Sequence, residues 1–203
     1  MPAGRRGARG GRRSGGVDPV RPPVEPPARA VAVVHPGAAF PGRRWPPDRF
    51  AAVARHLAGQ GHDVRITGGP GEVELARTVA SAAGLGEDAV LAGRTSSLEL
   101  AAVIAHARLV VCGDTGVAHL ASAYRRPSVV LFGPVSPAQW GPPDRTGLGG
   151  RALHVVLWHG DSTGDPWGTE LDPALERITV DEVVEALDRH LAPSGGSPRA
   201  CEG

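Results

Sequence analysis

The sequence contains no lysine and has few cysteines and aromatic residues. All 22 of its basic residues are arginines, and aromatic side chains make up 4% of the 203 residues. The two cysteines, Cys112 in an apolar run and Cys201 near the C-terminus, indicate neither a disulfide framework nor a cysteine-rich metal cluster. No apolar run approaches the ~18 residues of a membrane-spanning helix, and no apolar segment follows the N-terminal arginines as in a signal peptide. These absences favour a cytoplasmic protein.

Charge is distributed unevenly along the chain. The formal net charge is +1, and seven of the arginines lie within the first 30 residues, so the remainder is mildly acidic. That balance argues against a nucleic-acid-binding surface on the folded part.

Residues 1–28 are rich in Gly, Arg and Pro, and neither they nor residues 193–203 show apolar periodicity. Because such segments bury too little surface to offset their ordering entropy, we predict disorder there, around one domain at residues 29–192.

Short apolar runs alternate with amphipathic segments from Ala30 onward. These β-rich runs, most of them apolar, predict six strands, at residues 30–34, 63–67, 89–92, 109–112, 128–132 and 152–158. Strands that are apolar throughout and separated by helices indicate a parallel sheet covered on both faces. We therefore predict a doubly wound α/β domain of the Rossmann-like type.

Five loops are expected at the carboxyl edge of this sheet. All are rich in Gly, Pro, Ser, Thr or charged residues, and they are His35–Trp45, Gly68–Glu72, Gly93–Ser96, Gly113–Gly116 and Gly133–Trp140. Open parallel sheets bind ligands at this edge, so the loops predict a ligand crevice.

The Gly-Asp-Thr-Gly turn at residues 113–116 is the most informative of these loops. It joins an apolar run directly to a helix, whose N-terminus offers free N–H groups and a positive dipole end to an anion. Thr115 adds a hydroxyl donor, and His119 follows one turn later. These features suit the phosphates and ribose of a nucleotide. The alternative is structural, with Asp114 as a helix N-cap and His119 packed in the core.

Two other segments carry charge into the predicted crevice. Arg43 and Arg44 suit a pyrophosphate through bidentate hydrogen bonds, or they form a solvated charge pair. The glycine-rich run at residues 68–71 allows close backbone approach to a ligand, and it precedes Glu72 and Glu74, which suit ribose hydroxyls. Its spacing does not fit the G-x-G-x-x-G pattern of nicotinamide dinucleotide sites. No spacing matches a closed zinc site, so we predict no metal.

Several short motifs occur together in a fixed order. They are His35-Pro36-Gly37, Arg44-Trp45-Pro46, Thr67-Gly68-Gly69-Pro70-Gly71-Glu72, Leu91-Ala92-Gly93-Arg94-Thr95, the stretch 113–121, Leu131-Phe132-Gly133-Pro134 and Trp140-Gly141-Pro142. In this order and spacing they resemble the C-terminal half of glycosyltransferase family 9, the ADP-heptose:lipopolysaccharide heptosyltransferases. The resemblance covers roughly residues 30–191.

The resemblance implies the two-domain GT-B architecture, in which the C-terminal Rossmann-like domain binds the nucleotide-diphospho-sugar donor. The implied ligand is an ADP-sugar similar to ADP-heptose, used as a substrate, with no separate cofactor. Six residues take donor-binding roles by this resemblance: Arg44 at the diphosphate, Glu72 at the ribose, Asp114, Thr115 and Gly116 at the heptose and diphosphate, and His119 along the same pocket. Glu74 is the alternative to Glu72.

The resemblance also implies an inverting glycosyl transfer to a cell-envelope or other acceptor. In the family the N-terminal half binds the acceptor and supplies the carboxylate that acts as general base. No carboxylate of the matched region has that role, so the catalytic residue stays unassigned, and a separate acceptor-binding domain or chain is expected to complete the enzyme. The alternatives are a non-catalytic nucleotide-sugar-binding module or remnant and, less favoured by the motif order, a sugar-nucleotide epimerase.

Overall fold

The computed structural model describes residues 31–143, 152–161 and 164–191, and the predicted disordered ends at 1–28 and 193–203 lie outside them. The strands of the described part are β1 (Val31–His35), β2 (Asp63–Ile66), β3 (Leu109–Gly113), β4 (Ser128–Leu131) and β5 (His154–Leu157). They form one sheet in the order β2-β1-β3-β4-β5, and every pair of neighbours is parallel. The parallel α/β prediction is confirmed.

Helices cover both faces of this sheet. They are α1 (Pro47–Gly59), α2 (Val73–Ala83), α3 (Ser97–Ala105), α4 (Gly116–Ala123), α5 (Pro137–Trp140), α6 (Pro173–Glu176) and α7 (Val180–Leu191). Ala32 and Val34 of β1 pack in a cluster with α1, α2 and α7, whereas Val31 and Val33 face α3 and α4. Because successive strand residues point to opposite faces, the uniformly apolar β1 supplies both cores. The sheet is therefore doubly wound.

Trp45 fastens the loop after β1 to the first of these cores. Its ring is fully buried and meets Phe50 edge-on, with ring centroids 5.1 Å apart. The indole Nε1–H donates a hydrogen bond to the carbonyl of Ile178, 3.0 Å away. Buried indoles need such a partner for their N–H. The chain immediately before Trp45, which carries Arg43 and Arg44, is thus attached to a rigid point.

Two capping boxes begin the helices α3 and α7. The Ser96 N–H donates to Glu99 at 2.8 Å while the Glu99 N–H donates back to the Ser96 hydroxyl. Thr179 and Glu182 make the same reciprocal pair before α7. Each pair satisfies N–H groups that the helix start leaves without backbone partners.

The predicted strand at residues 89–92 is wrong. A 3₁₀ turn occupies Glu87–Ala89, and the region pairs with the sheet only through one parallel bridge between Val90 and Ile66. The chain then turns at Gly93, whose φ of +69° is a left-handed conformation that glycine adopts without a steric penalty. One bridge followed at once by this turn leaves no length for a strand.

The strand order creates a crevice between β1 and β3. From β1 the chain crosses to β2 on one side, and from β3 it crosses to β4 on the other. The loops that follow β1 and β3 therefore diverge over the two faces of the sheet and leave space between them. Within the part of the chain that the structure describes, no helix is long and apolar enough to cross a membrane.

Candidate functional site

A cleft of about 810 Å³ opens at the carboxyl edge of the sheet. This volume lies within the range of small-molecule sites. Its lining comes from the segments that follow all five strands. In chain order, it includes His35 and Arg43 after β1, Glu72 after β2, Asp114, Thr115, Gly116 and His119 after β3, Gln139 and Trp140 after β4, and Trp167 after β5. Four of the five predicted loops contribute. Gly93–Ser96 does not, because no strand directs it to this edge, and the segment after β5 takes its place.

Arg43 and Asp114 form an ion pair across the crevice. Arg43 Nη2 lies 2.6 Å from Asp114 Oδ2 and also donates to the Asp114 backbone carbonyl. The two side chains are 23% and 11% exposed. The N-cap position of α4 belongs to Thr115, so Asp114 is not the N-cap that the structural alternative expected. Asp114 instead joins the turn after β3 to the loop after β1.

The N-terminus of α4 faces this cleft. Thr115 occupies the N-cap position with extended φ and ψ of −144° and 174°, but its side chain caps no backbone N–H. The Thr115 hydroxyl oxygen is covered from solvent and has no hydrogen-bond partner among the described residues. An added Cβ on Gly116 would meet open space. His119 is exposed and lines the cleft, so the alternative of a core-packed histidine is wrong.

Glu72 is the carboxylate on the β2 side of the cleft. Its Oε2 accepts the Gly69 N–H at 2.7 Å, and its Oε1 lies 3.9 Å from Arg44 Nη2. The carboxylate rests directly against Gly37, where a Cβ would come within 2.2 Å of Oε1. Glu74, the predicted alternative, is 85% exposed and pairs with Arg77 outside the cleft.

Arg44 is not among the residues that line the cleft, whereas Arg43 is. The Arg44 guanidinium donates from Nε and Nη2 to the Ala38 carbonyl, at 3.0 and 2.8 Å. The diphosphate role expected for Arg44 stays a prediction; of the two guanidinium groups, the one that lines the cleft is that of Arg43. The two residues are adjacent in a loop without periodicity, so the sequence offered no means of choosing between their directions.

Three further lining residues were not predicted as site residues. His35 ends β1 within 3.0 Å of the Thr67 hydroxyl, and burial lowers its pKa although the nearby Glu72 carboxylate opposes that shift. The indoles of Trp140 and Trp167 also line the cleft. The signal for His35 and Trp140 was their position in the ordered motifs. Trp167 lies in the loop at residues 142–172, for which the sequence left open whether its side chains shape the pocket or only pack over it. No group of three or more potential metal ligands occurs within the described residues.

A doubly wound α/β domain with a cleft between β1 and β3 is typical of the broad class of Rossmann-like ligand-binding domains. Comparison of the sequence with known families identifies the family within that class. Residues 20–153 match glycosyltransferase family 9 (heptosyltransferase), and this chain belongs to that family.

The most similar relatives include two bacterial heptosyltransferases. Lipooligosaccharide heptosyltransferase 2 of Haemophilus influenzae is 34% identical over 165 residues, which cover 77% of this chain and 46% of the relative. Lipopolysaccharide heptosyltransferase 2 of Salmonella typhimurium is 35% identical over 165 residues, covering 79% and 46%. The solved structure of Escherichia coli ADP-heptose lps heptosyltransferase II superposes with a TM-score of 0.66 at 27% identity, covering 80% and 46%. The chain spans about half the length of the curated relatives that it matches.

Proposed function

We propose that the cleft binds a nucleotide-diphospho-sugar donor of the ADP-heptose type, for inverting glycosyl transfer to a cell-envelope or other acceptor. The observation that carries this proposal is the uncapped start of α4. It brings an unpartnered Thr115 hydroxyl and an open Gly116 to a cleft that Arg43 and Glu72 also line. The name of a solved relative, an ADP-heptose heptosyltransferase, supports the choice of donor.

The diphosphate is assigned to the centre of the cleft, at the start of α4. The first-turn N–H groups of a helix have no intrahelical acceptor, and the helix dipole favours an anion there by about 0.3–1 kcal/mol. An N-cap threonine that caps nothing keeps its hydroxyl available as a further donor. The side-chain charges of Arg43 and Arg44 are balanced by those of Glu72 and Asp114, so fixed N–H donors supply the selectivity for an anion.

Arg43 and Asp114 are assigned to the same central position. Nη2 of the Arg43 guanidinium donates to Asp114. The other N–H groups of the guanidinium are then able to donate to a phosphate. Asp114 holds the guanidinium in place, and its carboxylate also accepts hydrogen bonds from sugar hydroxyls. As the glycosidic bond breaks, negative charge develops on the leaving diphosphate, and prearranged donors stabilise it without reorganisation.

Glu72 is assigned to the ribose diol. An ionised carboxylate has only acceptor positions, and two oxygens accept from two adjacent hydroxyls. The Gly69 N–H holds one oxygen, while the missing side chain of Gly37 leaves room for the carboxylate. Glu72 is therefore already oriented before a ligand arrives.

The acceptor side of the reaction is assigned to a separate domain or chain. The acceptor hydroxyl attacks the anomeric carbon, the bond to the diphosphate breaks, ADP leaves, and a general base takes the hydroxyl proton. The two carboxylates of this cleft are engaged in donor binding in our proposal. The base therefore belongs to the part that binds the acceptor.

The proposal is tested by calorimetric titration of the chain with ADP and with ADP-heptose, in the presence of EDTA because no metal is assigned. We expect saturable binding of both ligands, and about tenfold weaker binding for Thr115→Val and for Glu72→Gln, the loss of about 1.4 kcal/mol typical of a hydrogen bond to a charged group. Glu74→Gln is the matched control, because this exposed carboxylate two residues away lies outside the cleft.

The absence of saturable binding by the unaltered protein would refute the proposal. Equal affinities for Glu72→Gln and Glu74→Gln would refute the ribose assignment. Thr115→Val carries an internal check on folding: it removes a buried hydroxyl without a partner, so its stability should be unchanged or higher while its affinity falls.

A further inference from the structure

Two exposed indoles line the cleft. Among the described residues, the exposed large hydrophobic side chains are Leu98, Trp140 and Trp167, at 65%, 58% and 68% exposure. Both tryptophans line the cleft, whereas Leu98 lies on α3 outside it. Exposed apolar surface that gathers within a concave site is typical of a ligand-binding surface.

The backbone on both sides of Trp167 is held by hydrogen bonds. The Gly164 N–H donates to the Pro134 carbonyl at 2.7 Å, which fixes the segment before Trp167. After Trp167, the Gly42 N–H donates to the Gly168 carbonyl at 2.9 Å, which fixes the segment against the loop after β1. Trp167 is therefore presented at the cleft by an ordered backbone.

Trp140 is presented in the same way by the short helix α5. The Ser136 side chain accepts the Ala138 N–H at its start, and Pro137 occupies the first helical position, where its fixed φ suits a helix. Aromatic faces on a fixed backbone lose little entropy when they bind a ligand.

The order of the strands arranges the cleft from end to end. Glu72 follows β2 at one end, Arg43 and the start of α4 follow β1 and β3 in the middle, and Trp140 follows β4 at the other end. The segment that carries Trp167 runs from Pro134, after β4, to Gly42, after β1. With ~4.8 Å between neighbouring strands, β2 and β4 are roughly 14 Å apart. A nucleotide-sugar has the same linear order, in which the diphosphate separates the ribose from the sugar.

We propose that Trp140 and Trp167 form the subsite for the sugar ring of the donor. This inference rests on the proposed function and deepens it. With the ribose at Glu72 and the diphosphate at α4, the only part of the donor that extends toward β4 and β5 is the sugar. The C–H faces of a sugar ring pack against the electron-rich faces of indoles. Gln139, also in the lining, offers an amide donor and an acceptor to the sugar hydroxyls.

The test compares two ligands that differ only by the sugar. Calorimetry gives the Kd of ADP and of ADP-heptose for the unaltered chain, Trp140→Ala and Trp167→Ala. We expect each substitution to weaken ADP-heptose binding about tenfold and to change ADP binding less than about twofold. Leu98→Ala is the matched control and should change neither, because it removes an equally exposed apolar side chain outside the cleft.

Equal losses of affinity for ADP and ADP-heptose would place the adenine base at the indoles and overturn the inference. Unchanged affinity for both ligands would also overturn it. Failure of the unaltered chain to bind either ligand would refute the proposed function itself, which is a distinguishable result. Trp140→Phe and Trp167→Phe keep an aromatic face and should restore most of the ADP-heptose affinity. Because both side chains are more than half exposed, we expect unfolding midpoints close to that of the unaltered chain.

Discussion

Replacing Gly42 with alanine should release the segment after β5 from the loop after β1. The Gly42 N–H donates to the Gly168 carbonyl at 2.9 Å, and its own carbonyl accepts the Asp172 N–H at 3.0 Å. An added Cβ would lie 2.7 Å from the Glu170 carbonyl oxygen and 2.8 Å from that of Gly168. Both obstacles are backbone atoms, so no side-chain rotation relieves the contact. Gly42 does not have a positive φ, and alanine would therefore fit its own backbone conformation.

The expected loss combines a steric cost and two hydrogen bonds. Overfilling a packed contact typically costs about 1–3 kcal/mol, and each backbone hydrogen bond contributes about 0.5–1.5 kcal/mol net. Since the segment gives up the hydrogen bonds to relieve the contact, the costs overlap, and we expect the free energy of unfolding of Gly42→Ala to fall by about 2–3 kcal/mol. If the sugar subsite is as proposed, ADP-heptose affinity falls with it, because the released segment carries Trp167.

Urea unfolding, followed by circular dichroism and fitted with a free slope, measures this change. Gly59→Ala is the control. Gly59 is the last residue of α1, and nothing lies within 4 Å of the Cβ that the substitution would add. Because alanine is a better helix former than glycine, we expect the free energy of unfolding to rise by about 0.5–1 kcal/mol. The two alanine substitutions should thus have opposite signs. A Gly42→Ala protein as stable as the unaltered chain would show that the two segments are not in contact, and the reasoning would be wrong.

Three further predictions concern buried side chains. Trp45→Phe should lower the free energy of unfolding, measured by urea titration, by about 2 kcal/mol, because it leaves a void and removes the hydrogen bond to the Ile178 carbonyl. Arg49 also donates to that carbonyl, so the carbonyl keeps a partner. A loss above about 4 kcal/mol would contradict this account. Burial lowers the pKa of His35, so the unfolded chain binds that proton at a higher pH than the folded protein does. Stability should therefore fall as the pH drops below about 6.5, by at most about 1.4 kcal/mol per pH unit for this group, and thermal unfolding of His35→Asn should show a shallower slope. Burial raises the pKa of the Cys112 thiol, so iodoacetamide should label Cys112 only in urea, and rapid labelling of the folded protein in peptide mass spectra would contradict its burial.

The sequence alone determined the fold class because its signals are local. Most strands are short apolar runs, and each capping box lies within four residues, as at Ser96 and Thr179, so neither depends on distant parts of the chain. The turn at residues 113–116 likewise predicted the start of α4, which lines the cleft. The strand predicted at residues 89–92 does not form, and the reason is local too: the chain turns at Gly93, directly after this β-rich run.

Only the tertiary structure decided which side chains enter the cleft. Arg43 and Arg44 are adjacent and chemically identical, and their directions follow from partners elsewhere: the Ala38 carbonyl holds Arg44, while Asp114, 71 residues away along the chain, holds Arg43. Trp167 has a place in the cleft because its segment pairs with Gly42 across more than 120 residues of sequence. Such contacts depend on packing between loops that have no periodicity, and no local pattern encodes them.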